Sequence, residues 1–276
     1  MDQHFAANRL NWDDRAEIHA TDRTGLYAIE AVLNGGSSLG SIEAGDLATL
    51  IGLAGKDVAH LQCHIGLDTL SLKHGGASSV VGLDFSPRAV AAARDFAQRA
   101  GTEARFVEAS VYDAEAALGR ERFDLVYVTW GAINWLPDLE RWAKIVAALL
   151  KPGGRLYLLE GHPQMNQFES RDGRPELLFD WRTPGDRPLV FDDAQTYTGD
   201  ERTLAHTRVY EWIHPLSEVV GAVLGAGLSL DFLHEHERLV WRAFPGMIEV
   251  SDREYALPTD WTKFPLAFSL GATKPT

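Results

Sequence analysis

The segment Val58–Phe85, VAHLQCHIGLDTLSLKHGGASSVVGLDF, joins a short apolar run, a tight turn ending in Gly66, an apolar-patterned helix from about Asp68 to His74, and a β-like run Ser79–Leu83 that ends in an acid, Asp84. In a β-α-β unit, a carboxylate at the end of the second strand can accept hydrogen bonds from both hydroxyls of a ribose. These residues therefore predict a grip on a nucleoside-containing cofactor. Candidates for proton transfer lie further along: Glu160 and His162 in Leu-Glu-Gly-His-Pro163, then Tyr197, His206 and His214. A histidine near its unperturbed pKa of about 6.5 accepts a proton at neutral pH, which ranks His162 first among the candidate bases. Cys63, the single cysteine, has no evident acid–base partner and reads as a small buried hydrophobe. His234 and His236 share one strand face with no third ligand nearby, so no metal site is expected.

These groups need a frame. Strands are expected at Val58–Gln62, Ser79–Leu83, Ala104–Glu108, Phe123–Thr129 and Arg155–Leu159, with helices at Thr69–His74, Ser86–Ala100 and Leu139–Leu150. Ser86-Pro87 supplies an N-cap and a proline at the first helical position, Gly101 ends that helix, and Asp68 reads as the N-cap of the helix from Thr69. Almost wholly apolar strands separated by helices predict the α/β class: a Rossmann-like parallel sheet with helices on both faces. Residues 1–56 are polar, with scattered aromatics and a helix around Thr24–Leu33, and read as an N-terminal cap on a domain spanning 57–276. Lys151–Gly154 reads as a turn. After Glu160, a stretch of about 50 residues rich in Pro, Asp, Arg and aromatics shows no sustained helix, and insertions of that length are more often lids than padding. The lid spans about 161–213 and holds a β-like pair, Ala194–Thr198 with His206–Ile213. A helix Leu216–Ala226, a strand Leu228–Glu235 and an antiparallel final strand Leu266–Ala272 complete one sheet edge.

With 276 residues and 45% hydrophobic content, the chain can bury one large core. A net charge of −13 opposes a nucleic-acid partner, because phosphate contacts need clustered Lys and Arg. One cysteine permits neither an internal disulfide nor a thiolate cluster, which suits a reducing cytoplasm. The N-terminus lacks a secretory pattern, and no apolar run nears the ~18 residues of a membrane span. A soluble, cytoplasmic protein with no membrane partner is expected, and a homodimer is left open.

Five segments in order resemble the class I S-adenosylmethionine-dependent methyltransferases, over roughly residues 55–235. Val58–Gly66 resembles the first, glycine-rich motif; Val80–Pro87 the second; Ala104–Tyr112 the third; Phe123–Thr129 the fourth strand; Leu149–Tyr157 the turn and fifth strand. The resemblance implies S-adenosyl-L-methionine as cofactor, with Asp84 on its ribose, Phe85 alongside, Ser110 on the adenine and a backbone contact at Val111. Gly66 keeps the one glycine of the matching turn and joins the cofactor site. Thr129 and Trp130, at the end of the fourth strand, lie where open parallel sheets place ligands, beyond the carboxyl ends of the strands. Departures are confined to the first motif, where His60 replaces an acid and Gln62 and His64 occupy two of three glycine positions. Those glycines let backbone approach a pyrophosphate, which S-adenosylmethionine lacks, so Gln62 and His64 can instead line its methionine end. The departures favour methyl transfer over hydride transfer. The insertion, with the segment around Trp12 and Tyr27, would close over the cofactor. Aromatic residues at Trp130, Trp135, Phe179, Trp181, Phe191, Tyr197, Tyr210 and Trp212 favour a planar or cationic acceptor. The expected activity is O-, N- or aromatic C-methylation of a small organic acceptor. Its alternatives are a nicotinamide-dependent oxidoreductase and a non-catalytic nucleoside-binding protein.

Overall fold

Strand β1 (Asp57–Leu61) is apolar because both its faces are covered: Ala59 and Leu61 enter one core layer and Val58 the opposite one. A computed structural model describes residues 2–276. In it β1 pairs in parallel with both β2 (Ser79–Asp84) and β4 (Phe123–Thr129). Strand β3 (Arg105–Glu108) lies outside β2, and β5 (Leu150–Gly161) lies outside β4. The final strand, Ala267–Thr273, runs antiparallel between β5 and the edge strand Ser229–His236, which completes a seven-stranded sheet. The chain leaves β1 in opposite directions on its two sides, and open α/β sheets bind ligands at such a switch point.

The expected frame is present, mostly with shifts of a residue or two; the helix expected at Thr24–Leu33 begins only at Ile29, and the fifth strand begins at Leu150 instead of Arg155. Helix α1 spans Asp2–His19, α2 Ile29–Leu33, α3 Ser41–Asp46, α4 Leu67–His74, α5 Pro87–Ala100, α6 Ala114–Leu118, α7 Leu139–Leu149 and α8 Leu216–Gly225. Trp142 and Val146 of α7 and Val219 and Val223 of α8 cover one face of the sheet. Leu72 of α4, with Leu47 and Ile51, packs on the other. Ser86 caps α5 by accepting from Ala89 N at 3.0 Å, and Gly101 ends it at φ 61°.

Several expectations change. Helix α1 has no counterpart in the sequence reading, because its buried residues are mostly polar: Asn8, Asn11, Arg15 and His19, with Ala16 and Ile18. Asn8 pairs through both amide atoms with the backbone of Tyr210, each bond 2.8 Å, and Asn11 Nδ2 donates to His206 O at 2.7 Å. Asp68 does not cap α4; Gly66 occupies that position at φ 77°, and Asp68 accepts from Ser38 Oγ at 2.5 Å. Lys151–Gly154 is a bulge inside β5, where the register jumps from Phe123↔Leu150 to Leu125↔Arg155. Within the insertion, Arg208–Glu211 pairs with Leu189–Asp192, not with Ala194–Thr198, whose Thr196 and Tyr197 side chains turn to the site described below. A second hairpin there joins Phe168–Arg171 to Arg174–Leu177. Another, Ile248–Ser251 with Glu254–Ala256, precedes the final strand. Among the described residues, no helix is long and apolar enough to cross a membrane.

Gly66 is required twice over, by its left-handed φ and because a Cβ there would lie 2.6 Å from the Phe106 ring and 2.7 Å from Ala93 Cβ. Strain and overpacking together should make Gly66→Ala less stable by about 2–5 kcal/mol. A urea midpoint equal to wild type would contradict this packing.

Candidate functional site

A cavity of about 650 Å³ opens at the carboxyl ends of β1, β2, β4 and β5 and is roofed by α1, the segment 26–43, the insertion and the hairpin preceding the final strand. That volume suits a small organic ligand. The floor begins with the turn after β1, where Gln62 (φ 55°), His64 (φ 50°) and Gly66 (φ 77°) alternate in the left-handed region. The backbone thus keeps the shape glycines would give, at about 1–2 kcal/mol for each non-glycine residue. Both side chains are tied down: Gln62 Nε2 donates to Ala132 O at 2.7 Å, and His64 Nε2 lies 2.8 Å from His19 Nδ1.

Asp84, 6% exposed at the end of β2, accepts from His64 N at 2.8 Å on Oδ2 and from Ser86 N at 2.9 Å on Oδ1. Burial pushes its carboxyl up to about 6, against the pull of these amides. Each oxygen keeps further acceptor capacity for a ligand. Around Asp84 the cavity wall contains Trp12, Tyr27, Gln62, His64, Phe85, Ser110, Val111, Thr129 and Trp130, the residues expected at a cofactor. Gly66 is not in that wall; it shapes the turn behind it.

The candidate bases separate sharply. Glu160 reaches the wall, but its carboxylate accepts from Gly131 N (2.6 Å), Ala132 N (2.6 Å) and Ile133 N (2.8 Å), which makes it a strut for the loop after β4 and not a base. His162 lies off the wall: its Nδ1 accepts from Gln164 N at 3.1 Å and its Nε2 faces Glu235 Oε1 at 3.0 Å. His206 also lies off it, binding Asp14 of α1 through backbone and ring nitrogens (2.8 and 3.0 Å). Tyr197 is in the wall, its hydroxyl bonded to that of Tyr27.

Tyr27 and Tyr197 belong to a cluster that fastens the roof. His19 Nδ1 lies 2.8 Å from His64 Nε2 and 2.9 Å from the Tyr27 hydroxyl, while its Nε2 lies 2.5 Å from Thr196 Oγ1. Burial keeps both imidazoles neutral, with His64 lowered to about 3.

Sequence reasoning missed Arg15, Glu43, Asn134, Glu211, Trp241 and Arg253, all in the wall. Arg15 donates to Asn11 Oδ1 at 2.6 Å and faces Asp193 at 3.5 Å. Glu211 accepts from Asn134 Nδ2 at 3.1 Å and is pushed up to about 7 by burial. Only Arg15 left a trace in the sequence, as one of the polar residues spaced three and four apart along α1. Among the described residues, Gln62 Oε1, Glu43 Oε2, Asn134 Oδ1 and Trp135 Nε1 are buried without a partner. Such atoms cost about 1–3 kcal/mol each until a ligand meets them. Beside the Asp84 carboxylate, this mixture of donors and acceptors can meet a ligand with several polar groups.

Residues 59–156 match the family model of a methyltransferase domain. A demethylmenaquinone methyltransferase of Thermus thermophilus is 38% identical over 86 residues, 31% of this chain and 38% of that protein, so the chain spans well under half of that relative's length. Among solved structures, an S-adenosylmethionine-dependent methyltransferase from Mesorhizobium loti superposes with a TM-score of 0.57 at 19% identity, covering 85% of this chain and 98% of the other. One from Methanosarcina mazei gives 0.58 at 19%, covering 86% and 98%. Geranyl diphosphate C-methyltransferase from Streptomyces coelicolor, solved with Mg2+, geranyl diphosphate and S-adenosyl-L-homocysteine, gives 0.53 at 14%, covering 85% and 79%. These three likenesses concern the fold. Strand order and the motifs along β1 to β5 agree with that fold, and the family match places a methyltransferase domain at residues 59–156.

Proposed function

We propose that this protein transfers the methyl group of S-adenosyl-L-methionine to a small organic acceptor, at oxygen, nitrogen or an aromatic carbon. The observation that carries the reading is the roofed cavity at the β1 switch point with the Asp84 carboxylate held in its wall. When bound, the cofactor supplies an electrophilic methyl on a sulfonium. The protein's part is then to orient two molecules in line and exclude water. Asp84 would hold the ribose, Ser110 and Val111 the adenine, and Gln62 and His64 the boundary with the methionine end. The 161–213 insertion would act as lid over a 57–276 domain, with 1–56 as cap, fastened through His19, Tyr27, Thr196 and Tyr197. Edge-to-face walls, Trp12 with Trp135 at 5.4 Å and Trp130 with Trp241 at 5.5 Å, suit a planar or cationic acceptor. The relatives named for demethylmenaquinone and geranyl diphosphate support an acceptor of small-molecule size.

Calorimetric titration with S-adenosylmethionine should show binding where NADH shows none. Sub-millimolar affinity for NADH alone would replace this reading with an oxidoreductase. Tight S-adenosylmethionine binding with no S-adenosylhomocysteine formed against hydroxylated and amino-substituted aromatics would favour a nucleoside-binding protein without catalysis.

A further inference from the structure

We propose that Glu43 and Asp68 form a binding site for a primary ammonium, the α-ammonium at the amino-acid end of the methyl donor, in place of the acid that β1 lacks. The inference rests on the functional reading above. At the β1 position where an acid would stand, His60 is 3% exposed, with Nδ1 2.9 Å from Thr69 Oγ1 and its ring edge-on to Tyr127 at 5.0 Å. Burial lowers it to about 3, so it is neutral and offers no charge to a cation.

Glu43, on α3, lines the same cavity as His60. It is 2% exposed and accepts from Trp130 Nε1 on Oε1, while its Oε2 has no partner among the described residues. Asp68, in the first turn of α4, lines the cavity too, with one bond from Ser38 Oγ. The charges that act on Glu43 are those of Asp68 and Glu254, both acidic, and Glu254 is already paired with Arg238 at 3.0 Å. Arg253 acts on Asp68 from the hairpin. A buried carboxyl beside like charges either takes up a proton or needs a cation, and Glu43 is accordingly pushed up to about 7. An ammonium group brings one positive charge and three donors, which answers both the repulsion and the unpaired oxygen.

The test compares S-adenosylhomocysteine, which has the ammonium, with 5′-methylthioadenosine, which keeps the thioether nucleoside and lacks the amino-acid end. Both are titrated calorimetrically into wild type, Glu43→Gln and Asp68→Asn. Glu43→Gln keeps an oxygen for Trp130 and should weaken S-adenosylhomocysteine by about ten-fold or more, leave 5′-methylthioadenosine unchanged and melt no lower than wild type. Asp68→Asn should shift the same ligand in the same direction, and it carries the test if the first variant does not fold. Equal weakening of both ligands, or of neither, overturns the proposal. A loss confined to benzylamine bound beside S-adenosylhomocysteine also overturns it and reassigns the acids to the acceptor. If wild type binds neither nucleoside, the functional reading fails with it; binding of both by wild type with no effect of the variants sinks this inference alone.

Discussion

Replacing Asp84 with alanine should weaken S-adenosylhomocysteine binding by about 1.5–3 kcal/mol, roughly 10- to 150-fold, the range for hydrogen bonds to a charged group. The carboxylate also receives the amides of His64 and Ser86, so Asp84→Asn, which keeps one accepting oxygen, should lose less. Ligand affinity should also depend on pH. Burial raises the Asp84 carboxyl to about 6, and the ionised form is the one that accepts from ribose. Affinity should therefore fall as pH drops through 6 and level off above it, by about ten-fold between pH 7.5 and pH 5. 5′-Methylthioadenosine isolates this effect because it carries the ribose without the amino-acid end that Glu43 is proposed to meet. For stability the sign is opposite: a raised carboxyl pKa disfavours the ligand-free fold increasingly as pH rises from the unfolded value near 3.8 through 6. An unchanged dissociation constant in Asp84→Ala would overturn the ribose assignment.

Glu160→Ala should have the larger effect on the fold. Removal of the carboxylate strands the Gly131, Ala132 and Ile133 amides, at about 1–3 kcal/mol for each amide that stays buried. We expect a loss of about 3–5 kcal/mol in urea denaturation, and with it cofactor binding, because the same loop presents Ala132 O to Gln62 and carries Asn134 into the cavity. Glu160→Gln, with one accepting oxygen, should fall between. If Glu160→Ala kept full stability while methyl transfer collapsed, the strut assignment would fail and a proton-transfer role would return.

The sheet was legible because strands buried on both faces have no polar side to show, so β1, β2, β4 and β5 stand out as apolar runs. The caps of α5 were legible because Ser86 and Gly101 act on backbone within a turn of themselves. Helix α1 was hidden because its buried residues are mostly polar, Asn8, Asn11, Arg15 and His19, whose burial depends on partners about 45–200 positions away. His162 looked like a base because residue type is visible in a sequence and direction is not; its ring turns toward Glu235 on another strand.

The cavity floor around Asp84 was written in one continuous segment. A strand, a turn, a helix and a second strand can place Gln62, His64 and Asp84 together through local backbone geometry alone, and left-handed φ at Gln62 and His64 shows that this geometry survives the loss of its glycines. The rest of the wall was decided only by folding. Glu43, Arg15, Glu211 and Trp241 come from α3, α1, the insertion and the stretch before the final strand. No short-range pattern links them, because what unites them is burial around a common cavity, and burial becomes a property of a residue only once distant elements have packed.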